Sequence, residues 1–312
     1  FGAVGLAVAL AWLTFRFIER PLRFGGAGRL KTYVLAGAMV LIGAAGLGIF
    51  AARGLPSRSI NDFGAIKAGT FGHDAFFDHM AAIAHPCADK RLSASALVYE
   101  GRIRCMQTKL DRPVDMVLLG DSHAEHLFPG LAEALPGRNI AYHIMAATPV
   151  LGVKDYETIF STVLADKAIR TVILGAHWKT RKDGLPRGRS FEADLSATVA
   201  ALQAAGKRVY LIDDIPDFAF QPARCKAARL SGNARPCSEP AEVFGKTVAG
   251  YLPALEKAAA SAPGVRLLRI GPGFCRDGAC SMEQDGVLLY RDENHVNVEG
   301  SRRVAETILR QA

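Results

Sequence analysis

Leu118-Leu119-Gly120-Asp121-Ser122-His123 ends an apolar run on a serine, and Asp292-Glu293-Asn294-His295 precedes the last amphipathic stretch of the 312-residue chain. Together the two motifs supply a hydroxyl, an imidazole and a carboxylate. An imidazole that takes the hydroxyl proton makes the oxygen a nucleophile. A carboxylate on the other ring nitrogen fixes the tautomer and balances the charge that forms. Asp292 stands three residues before His295, so the chain can fold back and leave the second ring nitrogen for the serine. Ser122, His295 and Asp292 are therefore the expected catalytic set. Each motif also has a plainer reading: Asp121 or Ser122 as a helix cap, and His295 as a surface or capping residue.

These groups need a frame that brings residue 122 to residue 295. Short apolar runs at 115–119, 140–145, 171–175, 208–212 and 265–270 alternate with helix-length amphipathic stretches near 124–135, 155–168, 191–205 and 241–261, and a final helix is expected over 296–310. Strands alternating with helical patterns between Gly, Pro and Asp imply βαβ units on a parallel sheet. The expected fold class is α/β, a three-layer α/β/α sandwich over 113–312, about 200 residues and large enough for its own core. Ligands bind beyond the carboxyl ends of such strands. Ser122 falls there, between the first strand and its helix. Gly120 permits the tight turn, and Asp121 can hold it by accepting from nearby amides.

Residues 1–52 read differently. Tyr33 to Ala52 is an uncharged apolar run, long enough to cross a bilayer at ~1.5 Å per residue, and its glycines suit close helix packing in lipid. Phe1 to Phe15 looks like the tail of another span. As the chain opens without Met inside it, a longer protein is expected. Residues 1–58 carry +6 of the +8 net charge, with five basic residues between Arg16 and Lys31. The positive-inside rule puts that short loop in the cytoplasm and everything after Ala52 outside it. A signal peptide over 31–52 is the competing reading. The remainder is nearly charge-balanced, which argues against a nucleic-acid surface. Residues 53–112 are irregular and are expected to form a linker and an irregular lobe. The six cysteines all lie in the exported part, and nearest-neighbour bridges are the simplest pairing: Cys87 with Cys105, Cys225 with Cys237, Cys275 with Cys280. No CxxC spacing suggests a metal, and none is expected.

Gly120-Asp121-Ser122-His123 and Asp292-x-x-His295, at the two ends of an α/β domain, resemble the first and last blocks of SGNH (GDSL-like) hydrolases. Phe17-Ile18-Glu19-Arg20-Pro21 between two spans is similar to the end of the membrane domain of acyltransferase-3 proteins. The resemblance covers the last spans, the linker and the SGNH domain. It implies an O-acyltransferase, most simply an O-acetyltransferase, acting on a bacterial surface polysaccharide such as lipopolysaccharide. It further implies an inner-membrane location with the C-terminal domain periplasmic. Acyl-coenzyme A would be the acyl source of the full-length protein, the missing upstream membrane domain its partner, and no cofactor would sit in the exported domain. An esterase, or a non-catalytic glycan-binding module on the same scaffold, would share these motifs.

The resemblance also implies an oxyanion hole completed by a Gly amide and an Asn side chain. The sequence instead has Ala146-Ala147-Thr148-Pro149 after the second strand. After the third it has Gly175-Ala176-His177-Trp178, where Gly-x-Asn-Asp would stand. His177 is expected to donate in place of Asn and Trp178 to form an apolar wall, with Gly120, Asp121, His123 and Thr148 also near the oxyanion or substrate. A packed aromatic beside a satisfied histidine is the alternative for 177–178. His126 could line the cleft or sit on an exposed helix face. Asp213 and Asp214, and His73, His79 and His85, are read as solvated surface groups.

Overall fold

The computed structural model describes residues 2–25, 28–52, 54, 72–225 and 237–312, and the chain divides into two compact units, Phe1–Arg58 and Ser59–Ala312. The first part of the expected linker and irregular lobe, and the interior of the loop between Cys225 and Cys237, lie outside the described residues. In the first unit, helix Arg29–Ala51 has 23 residues, a mean hydropathy of 2.3 and no buried residue. Its length and apolar surface match a bilayer core of about 30 Å. A second apolar helix, Gly2–Thr14, runs through a π-helical turn at Phe15–Glu19 into Arg20–Phe24.

The second unit is built on a seven-stranded sheet. Its strands are β1 (His85–Pro86), β2 (Cys105–Gln107), β3 (Met116–Gly120), β4 (Ile140–Ile144), β5 (Thr171–Gly175), β6 (Arg208–Ile212) and β7 (Val265–Leu268). Their order across the sheet is β1-β2-β4-β3-β5-β6-β7. The five strands from β4 to β7 run parallel. Every residue of β3, β4 and β5 is buried, as expected for central strands covered by helices on both faces. Helices Phe128–Ala134 and Val298–Gln311 pack on each other, as do Phe191–Ala204 and Leu252–Ala260. The stretch 241–261 is two helices rather than one, Ala241–Ala249 and Leu252–Ala260, interrupted at Gly250-Tyr251 and restarted with Pro253 in the first turn, where proline is tolerated.

Within the expected linker and irregular lobe of 53–112, the described residues carry two short strands of the main sheet. β2 pairs antiparallel with β4, and β1 antiparallel with β2, so this segment extends the sheet and makes it mixed at one edge. Strands of two or three residues are too short to show the alternation by which a sequence reveals them. The three nearest-neighbour disulfides form. Cys87–Cys105 ties the start of β2 to the chain just after β1, and Cys275–Cys280 clamps the hairpin Cys275–Arg276/Ala279–Ser281.

Candidate active site

Ser122 is placed by the carboxyl end of β3. Gly120 lies in register with Gly175 of β5, and a Cβ at Gly120 would collide with the Gly175 carbonyl oxygen. Only glycine lets the chain pass this close to β5 before turning. Asp121 caps the short helix Ser122–Glu125 by accepting from the His123 amide at 3.0 Å, and the same carboxylate accepts from the His177 amide after β5 at 3.0 Å. The Tyr156 hydroxyl donates to the Gly120 carbonyl at 2.5 Å. The turn is thereby fixed from three sides.

His295 arrives from the far end of the chain on a loop closed by its own hydrogen bonds. Asp292 Oδ1 accepts the amides of Asn294 at 3.0 Å and His295 at 2.7 Å, and the Arg291 amide donates to the His295 carbonyl at 2.9 Å. Asn297 then caps the last helix, accepting from the Gly300 amide at 2.9 Å. That helix is seated against Phe128–Ala134, where the Gly130 amide donates to Ser301 Oγ at 2.9 Å. As a Cβ at Gly130 would strike the Ser301 carbonyl, glycine sets the approach of the two helices.

The loop and the turn meet with the Ser122 hydroxyl 2.8 Å from His295 Nε2, and His295 Nδ1 3.0 Å from both oxygens of Asp292. With the proton on Nδ1, that nitrogen donates to Asp292 and Nε2 accepts from Ser122, the arrangement a general base requires. Burial lowers the His295 pKa from its ordinary value, with His123 and Arg291 adding to the shift and the Asp292 hydrogen bond opposing it. The base is therefore neutral at neutral pH. Burial would raise the Asp292 carboxyl, but the hydrogen bond and charge of His295 outweigh it and hold the group at about 2.

The triad opens into a cavity of about 230 Å³. On the sheet side its wall is Met145, Ala146, Asp121 and Arg181; on the other it is Phe77, Leu97, Tyr99, Arg104 and Arg291. The second wall comes largely from residues 73–104, outside the expected α/β domain. Arg104 donates through Nη1 to both oxygens of Glu125 at 2.8 Å, with both side chains buried. Its guanidinium stands 4.6 Å over the Phe77 ring. Arg291 lies 3.9 Å over Phe76, and burial lowers its pKa to about 10.

Several expected site residues lie elsewhere. His123 is buried behind the nucleophile, its Nδ1 2.7 Å from Asp214 and its ring stacked on His177 at 4.4 Å. Burial lowers the His123 pKa and raises that of Asp214. Asp214 is thus no solvated group, nor is Asp213, which is buried and accepts from Arg269 at 2.8 Å. Both ring nitrogens of His177 are engaged, Nε2 with Asp217 at 3.1 Å and Nδ1 with Thr180 at 3.2 Å, so its side chain does not fill the place of the Asn. Trp178 is a core residue, fully buried, its indole N–H donating to the Ile212 carbonyl at 2.7 Å. Thr148 is buried and donates to the Arg181 carbonyl at 2.7 Å, bracing that segment rather than facing the cavity. His126 is fully buried on the core side of its helix, with neither ring nitrogen hydrogen-bonded among the described residues.

Arg104, Arg181 and Arg291 escaped the sequence reading. Arg291 adjoins Asp292, and Arg181 follows β5 by one short helix, so their positions beside a motif and a strand end were the available signals. Arg104 had only its neighbour Cys105.

The family model described as "SGNH domain (fused to AT3 domains)" matches residues 87–310. No curated protein matches the chain. Among solved structures, the periplasmic domain of the lipopolysaccharide acetyltransferase of Salmonella ser. Paratyphi A is similar at 14% identity, with a TM-score of 0.51, covering 80% of this chain and 98% of that one. The C-terminal catalytic domain of Streptococcus pneumoniae peptidoglycan O-acetyltransferase A, bearing a methylsulfonyl adduct, is 15% identical with a TM-score of 0.32 over 64% of this chain and 92% of that one.

Proposed function

The chain belongs to the SGNH domain family that occurs fused to AT3 domains, and from that membership we propose an O-acyltransferase that modifies a cell-surface polysaccharide through Ser122. The carrying observation is the 2.8 Å contact between Ser122 Oγ and His295 Nε2, with Asp292 behind the ring. His295 takes the Ser122 proton as Oγ bonds to the acyl carbon, and returns it to the leaving group as the donor bond breaks. The acyl-enzyme then meets a sugar hydroxyl. His295 takes that proton, the sugar oxygen bonds to the acyl carbon, and Ser122 leaves with the proton restored.

The Salmonella neighbour is by its description a lipopolysaccharide acetyltransferase, which supports an acetyl group and a surface glycan. The apolar helix Arg29–Ala51 and the basic residues before it support an inner-membrane anchor with the catalytic unit periplasmic. The three disulfides favour the same oxidising side. Acyl-coenzyme A is the donor we assign to the complete protein, its acyl group delivered by an upstream membrane domain.

The test is to incubate the full chain in detergent with an acetyl ester and an oligosaccharide. Acetylated sugar is expected, and Ser122→Ala should abolish both its formation and labelling by a sulfonyl fluoride. Free acetate without acylated sugar would overturn the transferase reading in favour of an esterase. Unchanged activity in Ser122→Ala would overturn the nucleophile itself.

A further inference from the structure

We infer that Arg181 is the charged half of the oxyanion hole, taking the place that the missing Asn leaves empty. The inference rests on the acyl transfer proposed above, and it concerns the moment when Ser122 Oγ has bonded to the acyl carbon and the carbonyl electron pair has moved to oxygen. That oxygen needs donors held in place before the charge develops. One is close by: Ser122 opens its helix, so its amide has no intrahelical acceptor. The loop after β5, where the Asn would stand, offers no free imidazole, because His177 is engaged at both ring nitrogens. The side chain that this segment does send to the cavity is Arg181.

Its position is determined by three contacts. Nε donates to Asp121 Oδ2 at 2.6 Å, Nη1 donates to the Ala146 carbonyl at 3.0 Å, and the Arg181 carbonyl accepts from buried Thr148 at 2.7 Å. Asp121 precedes Ser122 in sequence, and Ala146 lines the same cavity as Ser122 and His295. The guanidinium is thus fixed to the nucleophile's own turn on one edge and to the strand-end loop on the other. Its planar fork has more N–H groups than these two bonds use. Asp121, held below the usual carboxylate range by His123 and Arg181 against the effect of burial, neutralises the guanidinium in the resting site. The site therefore does not bind a resting anion by net charge; what it supplies is an oriented donor, which gains when the acyl oxygen turns negative.

Two other buried clusters do not compete. His123 and His177 stack nearly parallel, at 12°, so their in-plane lone pairs do not converge on one ion. Cys87 and Cys105 beside His143 form a disulfide.

The test compares a neutral substrate with a charged tetrahedral analogue on the full chain in detergent. The substrate is p-nitrophenyl acetate, and the analogue is a boronic acid, which becomes anionic on bonding to a serine. Arg181→Ala is expected to lower kcat by about 10²–10³ and boronate affinity to a similar degree, with KM changed by no more than about threefold. Arg181→Lys, which keeps the charge but not the fork, should recover part of both. A structural role would instead weaken ester and boronate binding alike. A rise in KM as large as the loss of boronate affinity, or kcat within about threefold of the parent, would overturn the assignment. If Arg181→Ala does not fold, the ratio of boronate affinity to KM in Arg181→Lys decides on the same terms. Ser122→Ala separates the two proposals: if it still transfers acyl groups, the serine mechanism falls whatever Arg181 does.

Discussion

Asp292 is worth more to this site than its charge alone, because one carboxylate does two jobs. It closes the loop through two backbone amides and holds His295 through Nδ1. Asp292→Asn keeps much of the loop but permits the wrong ring tautomer, so the acylation rate should fall by about 10⁴-fold, measured as burst kinetics with an acetyl ester. The parent enzyme should lose activity only at acid pH. His295 is lowered from 6.5 by burial, and a base works when unprotonated, so the acid limb of kcat/KM is expected below that value. A limb centred above it would contradict the burial argument. At this scale the sequence was informative where spacing constrains geometry, as at Asp292 and His295. It misled where a side chain's direction mattered. Trp178 and His123 sit beside the motifs in sequence, yet both turn into the core.

The elements that join the two motifs are the β3 turn and the last helix, and their contact depends on a glycine. Gly130→Val would push a branched side chain into the Ser301 carbonyl. It is expected to destabilise the fold by about 1–3 kcal/mol, read by chemical denaturation. Activity should fall further than the lost stability explains, because the displaced helix carries His295 away from Ser122. A variant equally destabilised but fully active when folded would show that the helix does not set the triad. The alternation of strands and helices after residue 113 was legible because each central strand is an unbroken apolar run buried on both faces. β1 and β2 were not, being two and three residues long and held by a disulfide and by the pairing of β2 to β4.

Across the whole second unit, four imidazoles are depressed by burial: His123, His126, His143 and His295, with His143 lowered to about 4. Below about pH 6.5 the unfolded chain protonates these groups while the folded chain resists, so it binds more protons and the fold loses stability as pH falls. Asp213 and Asp214, raised by burial, act in the opposite sense and offset part of the loss. Each uncompensated group contributes at most ~1.4 kcal/mol per pH unit. The denaturation midpoint should therefore drop between pH 7.5 and 5, and drop less in His143→Gln. A midpoint independent of pH over that range would refute the account. What the sequence determined by itself was everything that a local pattern can encode: the long apolar helix, the strand–helix alternation, the cysteine partners, and two motifs able to form a triad. Only the tertiary structure decided which polar groups face the cavity. Arg181 enters it, His177 is tied to Asp217, and a wall is built from residues 73–104, because side-chain direction follows from long-range packing that no spacing records.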